Sequence, residues 1–408
     1  MESPLFLPVL AACRLLLAAL PLPALNSLQR DHQLTSPLTS YFRLKEGLWL
    51  YQHDIDPYAG GILRHSPLFL SFFSVVPPLP VVWALCDLVG AWALIRIWRT
   101  RQQLGKGKSK RDGLVAAAYL LNPYLLLPSL ALSTSTFENS IVLFTLMLAA
   151  EGKRSPALLT LALSTHLSLS TILFLVPVLM LLITSPVSQL ASPRLFVGSY
   201  QSAVKYASEF LAYWLILVGA ASIMAGGVWD WIRESWGASL TLPDLTPNPG
   251  LWWYFFTEMF DHFRPFFLMV FSVHLIIYII PICIKFQHDA LYASFLLLGI
   301  LGTFKAYLTL ADPGLFLSMF AIFPEVYPYL RHPIVTTLLH THASLLLPLF
   351  HALWVTEGRG NANFYYAASL VMGVAGGAGV IDACFAGMRI AIGDVTETER
   401  EKWEVTQE

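Results

Sequence analysis

Apolar runs of roughly twenty residues, the length that crosses a bilayer as a helix, recur along the whole chain. Short polar breaks separate them. In lipid every backbone polar group must be bonded within the protein, so such runs cross only as helices. Of the 408 residues, 56% are hydrophobic and 12% are charged, whereas soluble domains carry roughly 25% charged residues. The pattern predicts an all-α polytopic membrane protein with about 10–12 transmembrane helices.

Ten runs are the clearest candidates for spans. They are Leu5–Leu25, Leu68–Ile95, Leu114–Leu132, Ile141–Ala150, Ala157–Leu182, Phe210–Ala225, Phe266–Ile284, Ala290–Leu310, Ile334–Trp354 and Tyr366–Met388. Trp252–Phe260 and Gly314–Phe323 are predicted to be short or re-entrant helices. The first run carries Arg14 inside it, so we expect a retained helix and not a cleaved signal peptide. Residues 1–390 are predicted to form a single multi-span domain.

Basic residues predict the orientation. Between Arg96 and Arg111 the chain carries seven Lys or Arg residues and no acid, and loops with this bias face the cytosol. Alternation of the spans then places three long loops in the lumen and the C-terminus in the cytosol. These are the lumenal loops 26–66, 226–250 and 356–364, and the cytosolic tail 391–408.

Composition and motifs exclude several classes of function. The formal net charge is -1 and the basic residues are scattered or confined to loops, so nucleic acid binding is excluded. The four cysteines stand singly, with no CxxC, and no GxSxG, HExxH or Walker pattern occurs. We therefore predict no catalytic residue, no metal and no cofactor.

The first predicted lumenal loop contains a D-x-D triplet at Asp54 and Asp56, beside His53. Alternating carboxylates can bind a divalent cation, and glycosyltransferases that use lipid-phosphate sugar donors need an acid in this loop. The favoured interpretation is simpler: Asp54 turns the chain ahead of Pro57.

Polar residues inside apolar runs need partners. Lys305 either pairs with a carboxylate or a lipid phosphate, or extends toward an interface. His340 and His342 point about 200° apart on a helix, and about 16 Å of helical rise separates His340 from His351, so they cannot share one ion. Intramembrane histidines often face cavities, and whether these do is left open.

The segment Pro243–Phe263 joins a turn to an aromatic stretch. Its prolines, small polar residues and glycine predict an ordered loop that leads into a helix, with the rings of residues 252–256 at the membrane surface. In that helix Glu258 and His262 would share a face with Asp261. The three, with Lys305, are a possible polar site near the bilayer boundary.

The last predicted lumenal loop carries two amides beside aromatic rings. Asn361 and Asn363 precede Phe364 and Tyr365 at the start of the final span. Amides can bond the hydroxyls of a glycolipid while rings cover the start of its acyl chains. A solvated turn is the alternative.

These segments together resemble the PIG-U family of GPI transamidase subunits. The resemblance is carried by Ser36–Ser40, Glu46–Gly47, Pro57–Tyr58, Leu121–Tyr124, the PDLTPN run at 243–248 and Asn361–Tyr366. It implies a non-catalytic subunit in the endoplasmic reticulum membrane that recognises or presents the GPI lipid. It also implies partners, the other transamidase subunits, among which a cysteine-protease-like subunit performs the transamidation.

The same resemblance assigns a lipid-contacting motif. A stretch similar to a fatty-acid elongase motif corresponds to Phe263–Pro281 and implies lipid contacts through Phe267, Phe271, His274 and Tyr278.

A second resemblance keeps an alternative open. The pairs at Glu46–Gly47 and Pro57–Tyr58 and the run His65–Leu68 resemble the lumenal loop of GPI mannosyltransferases, which implies a GT-C glycosyltransferase-like architecture. The acid that those enzymes place before the EG pair is absent. A binding and scaffold subunit is therefore favoured. The alternative is a GT-C-type membrane mannosyltransferase that uses a lipid-linked sugar donor, with Asp54 or Asp56 as its base.

Overall fold

A computed structural model describes residues 6–20, 23–104, 109–187 and 189–393. Within these ranges the chain forms helices joined by turns and contains no strand, which confirms the predicted all-α class. The predicted cytosolic tail lies outside the described residues beyond position 393, as do Lys106 and Lys108 of the basic loop.

The first half of the described chain contains eleven α-helices. They are α1 (Phe6–Ala19), α2 (Pro23–Leu28), α3 (Tyr41–Gln52), α4 (Pro67–Val75), α5 (Pro80–Arg101), α6 (Asp112–Leu120), α7 (Pro123–Leu130), α8 (Ser135–Ala150), α9 (Arg154–Leu167), α10 (Leu175–Ile183) and α11 (Tyr200–Met224). A 3₁₀ segment, Leu169–Phe174, joins α9 to α10.

The second half contains nine more. They are α12 (Asp230–Ile232), α13 (Ala238–Thr241), α14 (Trp252–Thr257), α15 (Arg264–Ile276), α16 (Ile279–Lys285), α17 (Ala290–Phe304), α18 (Ala311–Met319), α19 (Pro333–His351) and α20 (Ala362–Ile392). Short 3₁₀ or π-helical turns occupy Arg233–Gly237, Phe320–Ile322, Pro324–Tyr329 and Ala352–Thr356. The two helices predicted to be short, at 252–260 and 314–323, are short.

Continuous membrane-length helices are fewer than the predicted 10–12 spans. Within the described ranges, five helices are long and apolar enough to cross a membrane, and six if the bent pair α6–α7 counts as one span. Five shorter apolar helices of 10–17 residues accompany them. The predicted GT-C-like arrangement of the helices stays a prediction.

Proline explains why several predicted spans are broken. The run predicted at Leu68–Ile95 divides into α4 and α5 around Pro77 and Pro78, and the run at Leu114–Leu132 bends by 51° where Pro123 begins α7. Proline lacks the amide hydrogen of a helix interior and disfavours helical geometry in the preceding residue, so a helix ends before it or begins at it.

Helix α17 lies at the centre of the largest apolar cluster. Of its residues, Ala290 through Thr303 are all buried, as its apolar residues on every side require. Helices α10, α18 and α20 surround it. At Gly302 a side chain would come within 3.0 Å of the Asp312 carbonyl oxygen, so glycine lets α18 cross closely there.

Other apolar helices lie on the outside. Helix α15 has no buried residue, and only 6% of the residues in the most apolar window of the span Arg264–Lys285 are buried. In the most apolar window of α11, 22% of the residues are buried. Apolar helix surfaces of this kind suit lipid tails or the helices of other subunits.

The polar loops meet in two groups. In one group Arg101 donates to Asp289 at 3.0 Å and to Glu325 at 2.8 Å. In the other the Thr134 amide donates to the Thr39 carbonyl at 3.0 Å. The first group includes the basic loop predicted to be cytosolic, and the second includes the first loop, which is predicted to be lumenal. The side of the membrane on which each group lies stays a prediction.

Candidate functional site

A cavity of about 260 Å³ lies beside the loops of the second group. Its polar lining comes from several elements and includes Ser36, Thr39, Arg64, His65, Ser66, Thr134, Glu138, Ser168, Ser170, Ser235, Ser239, Ser272, Lys305 and Tyr307. Its apolar lining includes Phe69, Leu167, Leu169, Ile172, Leu173, Trp236, Leu240, Trp252, Leu275, Ile276 and Ala306. The cavity is therefore amphipathic, with hydroxyl and charged groups against a wall of aliphatic and aromatic side chains.

Lys305 joins three elements at this cavity. It is 8% exposed and follows α17 directly. Its Nζ lies 3.0 Å from an Oε of Glu138 on α8 and 3.0 Å from an Oδ of Asp312 on α18. The partner predicted for this lysine is thus a pair of carboxylates, and the alternative of extension toward an interface is wrong.

Two histidines bind the first loop to its neighbours. The His65 Nε2 lies 3.2 Å from the Thr134 hydroxyl, and the Ser66 hydroxyl lies 2.6 Å from Nε2 of His166 on α9. Burial, with a smaller effect from the charge of Arg43, lowers the pKa of His65 to about 3. At neutral pH its imidazole is uncharged and can both donate and accept within the cavity wall.

The predicted lipid-contacting residues of α15 do not line the cavity. The Phe271 ring centroid lies 5.1 Å from Trp252 and 4.9 Å from Phe255, while the Tyr278 hydroxyl lies 2.8 Å from Nε2 of His274. Phe267 packs on Phe255 as well, with centroids 5.3 Å apart. The neighbouring face of α15 lines the cavity instead.

Helix geometry explains why these residues do not line the cavity. Positions 267, 271, 274 and 278 follow one stripe of a helix, because residues three or four apart share a face. That stripe packs against α14 and Phe304. Ser272, Leu275 and Ile276 lie on the adjacent stripe and line the cavity. Whether the stripe through Phe267 and Phe271 contacts a lipid stays a prediction.

The predicted polar site on α14 does not form. Helix α14 ends at Thr257, with Glu258 as its C-cap, and α15 begins at Arg264 with Pro265 in its first turn. Glu258, Asp261 and His262 therefore lie in an exposed turn and share no helix face. Three of the five rings at 252–256 are buried rather than at a membrane surface.

Lys305 does not join these exposed residues, because its ammonium group is buried between carboxylates of α8 and α18. The four residues predicted as one polar site therefore lie in two different environments.

The turn before α14 is ordered, as predicted. The Asp244 carboxylate accepts from the Thr246 amide at 3.1 Å, and the Asn248 side-chain oxygen accepts from the Gly250 amide at 2.8 Å. The Asp244 amide donates to the Tyr307 hydroxyl at 3.2 Å. This last bond holds the turn against the cavity wall.

The two amides of the last loop lie on the other side of α14. The Asn361 side-chain oxygen caps α20 by accepting from the amides of Asn363 at 3.0 Å and Phe364 at 3.3 Å. The Tyr254 hydroxyl donates to the Asn363 side-chain oxygen. Both asparagines are exposed, so their NH₂ groups face outward.

The two rings beside these amides have different surroundings. Phe364 is 54% exposed, with its ring 5.7 Å from Phe350. Tyr365 is 0% exposed and packs against Trp253 and Trp354. The expected contact of Tyr365 with a lipid is therefore corrected: successive residues of a helix point about 100° apart, so Tyr365 faces the core while Phe364 faces out.

The acids of the first loop serve its backbone. Asp54 has a φ of 56°, a conformation that Asp and Asn tolerate better than most residues. The Asp56 carboxylate accepts from the Tyr58 amide at 2.9 Å. Both are exposed, and neither lines the cavity. The favoured interpretation of this triplet as a turn agrees with these contacts.

The histidines of α19 are separate, as expected from their spacing. His340 is buried and lines a second cavity, His342 is exposed, and the ring of His351 lies 6.1 Å from His32. Across the described ranges, no group of three His, Cys, Asp or Glu side chains could hold a metal ion.

Comparison with known families shows which family the chain belongs to. The profile of the family described as GPI transamidase subunit PIG-U matches residues 8–372. The chain belongs to the PIG-U family. The cavity residues Ser36 through Lys305 all lie inside the matched range.

Characterised relatives cover almost the same length. The chain is 33% identical over 369 residues to the GPI transamidase component GAB1 of Saccharomyces cerevisiae, covering 90% of this chain and 89% of the yeast protein. It is 30% identical over 405 residues to the human GPI-anchor transamidase component PIGU, covering 92% and 91%. A GAB1 homolog of Schizosaccharomyces pombe is 30% identical over 358 residues, covering 85% and 84%.

Sequence reasoning missed most of the polar wall in this PIG-U chain. In the sequence, the run from His65 to Leu68 stands out only through its resemblance, and Glu138 only as the end of the predicted lumenal loop Ser133–Glu138. A usable signal existed: hydroxyl residues at 133–136 and Glu138 stand at the start of an apolar run in a loop predicted to be lumenal. Polar residues at that depth point inward to a cavity or to partners.

Proposed function

We propose that this PIG-U chain is a subunit of the GPI transamidase complex of the endoplasmic reticulum membrane, and that its amphipathic cavity holds the lipid end of GPI. The observation that carries the proposal is the cavity itself, because hydroxyl and charged groups meet an apolar wall within about 260 Å³. A glycolipid has the same division, with hydroxyls and phosphate next to acyl chains. Binding pockets combine apolar lining with a few placed polar groups in this way.

The polar wall suits a neutral or phosphorylated sugar headgroup. Ser36 and Thr39 present hydroxyls 3.1 Å apart, and Ser66 adds a third. Lys305 shares its charge with Glu138 and Asp312, so its side chain is held in place before a ligand arrives. A preorganised site loses less conformational entropy when it binds.

The apolar wall suits acyl chains. Leu275 and Ile276 of α15 line the cavity together with Leu169 and Leu173. Other apolar residues of α15, among them Phe266, Met269 and Val273, are exposed. A chain held in the cavity can therefore pass along α15 into the bilayer.

The last lumenal loop extends the proposed site to the glycan. Helix α14 contributes Trp252 to the cavity, and two residues later Tyr254 bonds Asn363. A glycan that leaves the cavity over α14 meets the outward NH₂ groups of Asn361 and Asn363. Phe364, exposed beside them, covers an apolar part of the ligand.

The proposed role is recognition and scaffolding without catalysis. The relatives are named as transamidase components. In the proposal the cysteine-protease-like subunit carries out the transamidation, and this chain presents GPI to it. The exposed apolar faces of α11 and of the span Arg264–Lys285 are surfaces for lipid and for partner helices.

Membership of the complex is tested by affinity purification of the tagged chain in mild detergent. The proposal expects the other transamidase subunits to copurify. The alternative, a GT-C-type mannosyltransferase, expects the chain alone, with transfer of a sugar from a lipid-linked donor. Recovery of the chain without the other subunits would count against the proposal.

The cavity is tested by filling it from α15. Ser272 lines the cavity, and the next residue, Val273, is 51% exposed and does not. We expect Ser272→Trp to reduce attachment of GPI to a reporter when GPI is limiting, because the indole occupies the space of the ligand. Val273→Trp adds the same ring to the same helix but leaves the cavity open and keeps the exposed face apolar, so attachment should be unchanged.

The readout combines surface display of a GPI-anchored reporter with recovery of the complex. Normal recovery with reduced display for Ser272→Trp, and normal values of both for Val273→Trp, support the cavity as the lipid site. Normal display by Ser272→Trp under limiting GPI would place the site elsewhere.

A further inference from the structure

A second cavity, of about 470 Å³, lies between α7, α18, α19 and α20. It shares no lining residue with the first cavity. Its walls are Asn122, Pro123, Tyr124, Leu317, Phe320, Tyr327, Leu330, Pro333, Thr336, Thr337, His340, Thr341, Ser344, Gly379 and Asp382. The cavity opens to the protein surface beside Tyr327, Thr337 and Thr341, and its lining combines aromatic and aliphatic side chains with several hydroxyls along α19.

His340 is the unusual member of this wall. The residue is 7% exposed, and within the described part of the chain neither ring nitrogen has a hydrogen-bond partner. A neutral imidazole carries one donor and one acceptor. Leaving a buried polar group unpaired costs roughly 1–3 kcal/mol. A buried imidazole without a hydrogen-bond partner in an apolar helix indicates a ligand or partner that supplies the missing hydrogen bond.

The other buried polar side chains of the cavity already have partners. The Asp382 carboxylate accepts from the amides of Arg331 at 2.6 Å and His332 at 3.0 Å, which holds the turn before α19. Thr337 and Thr341 donate to carbonyls one turn earlier, each at 2.8 Å. The imidazole of His340 is therefore the group left to bond a ligand.

The chemistry of the wall selects the kind of ligand. The lining residues include one acid and no Lys or Arg, so a phosphate would have no cationic partner there. The rings of Phe320 and Tyr327, with centroids 6.3 Å apart, and that of Tyr124 offer flat apolar surfaces. A ligand with one hydroxyl on a rigid apolar body fits this wall, because one unpaired imidazole lies between flat apolar surfaces.

We propose that this cavity binds a sterol, with its hydroxyl hydrogen-bonded to the imidazole of His340. An independent sequence feature lies at the same place. Val326, Tyr329 and Arg331 form the short pattern of an aliphatic residue, Tyr and a basic residue that has been associated with sterol contact. The pattern is short, and its value here is its position beside the cavity, since Tyr327 and Leu330 within it line the wall.

The test uses the chain in its complex, purified in mild detergent, with a photoreactive cholesterol analogue that has a free 3β-hydroxyl. We expect labelling of the segments that line the cavity, and competition by cholesterol. His340→Leu should reduce labelling about fivefold, the equivalent of one net hydrogen bond. His342→Leu is the matched control: it removes an exposed histidine of the same helix and should leave labelling unchanged.

A second variant covers the case in which His340→Leu does not assemble. Thr337→Phe narrows the cavity from an exposed position and keeps the imidazole. It should reduce labelling with normal recovery of the complex. Equal labelling of wild type and Thr337→Phe, or equal competition by phospholipid and by cholesterol, would overturn the proposal. Labelling abolished in the wild-type complex because another subunit's helix covers the cavity would overturn it as well.

Discussion

The ammonium group of Lys305 lies 3.0 Å from the carboxylate of Glu138, which is 167 residues earlier in the chain. Asp312 completes the cluster at 3.0 Å. The contact joins the start of α8 to the end of α17 at the wall of the proposed GPI cavity. Removing one partner of a buried ion pair leaves an uncompensated buried charge. The stability lost in this way is much larger than the stability that an exposed ion pair contributes.

Lys305→Met should therefore destabilise the protein by about 3–5 kcal/mol, because two buried carboxylates lose their cation. The measurement is thermal unfolding of the purified complex, together with its yield. Lys153→Met is the control, since its side chain is 55% exposed and its pair with Glu151 lies at the surface. That variant should change stability by less than about 1 kcal/mol. Equal melting temperatures for both variants would contradict the structural role of Lys305.

The basic loop at Arg96–Arg111 should face the cytosol and the loop at 26–66 the lumen. Acceptor sites for N-glycosylation, inserted between Asp56 and Gly61 or after Gln102, measure this directly. We expect modification at the first site alone. Both positions are in exposed turns, so the acceptor can reach the transferase. Modification of the second site alone would mean that the orientation is inverted.

Asp54→Ala and Asp56→Ala should leave GPI attachment within about tenfold of wild type. A larger loss would be expected if either acid made a contact in a transition state. The reason is that both acids are exposed and act on the backbone of their own turn. Display of a GPI-anchored reporter in cells without the endogenous subunit is the measurement. Asp56→Asn, which keeps the acceptor for the Tyr58 amide, controls for loss of the turn. A larger loss at normal protein level would favour the mannosyltransferase alternative.

Substitution of the two amides should weaken attachment when GPI is limiting. Asn361→Ser keeps a cap oxygen for α20 and removes the NH₂ group, so helix stability is largely retained. Asn363→Ala removes the second amide. Each should reduce attachment up to about fivefold, as one hydrogen bond would, and the pair more severely.

Tyr254→Phe separates recognition from structure at the same place. It removes the hydrogen bond to Asn363 and leaves both amides intact. Normal attachment in Tyr254→Phe, with reduced attachment in the double asparagine variant, would assign the loss to the amides. If Tyr254→Phe reproduces the loss, the asparagines act by holding α14 to α20.

Stability should fall as the pH is lowered from about 6.5, the usual His value. The folded pKa of His65 is about 3, because burial, with help from the charge of Arg43, disfavours its protonated form. Between these two values the unfolded chain binds a proton that the folded chain does not, so stability is present above the upper value and is lost as the pH falls toward the lower one.

His65→Gln should reduce this dependence by up to about 1.4 kcal/mol per pH unit, the contribution of one proton. The measurement is the melting temperature at pH 7.5 and at pH 5. His53→Gln is the control, because that histidine is exposed in the same loop. An unchanged slope in His65→Gln would show that this imidazole is not the group responsible.

Local sequence patterns account for the class of the protein and for many of the places where its chain turns. Runs of apolar residues require helices in lipid, and prolines such as Pro123 and Pro265 determine where new helices begin. The ordered turn at 243–250 and the turn at Asp54 were predictable as well, since both depend on residues a few positions apart. Local chemistry is readable because the interacting groups are neighbours in the chain.

The tertiary structure decided which face of each helix meets which partner. One residue changes the direction of a side chain by about 100°, so the sequence could name α15 but could not choose between Phe271 and Ser272 for the cavity. The same step separates exposed Phe364 from buried Tyr365. The partners of Lys305 lie on two other helices, and no pattern along the chain brings them together. The cavity wall is made of such long-range contacts, which form only when the helices pack.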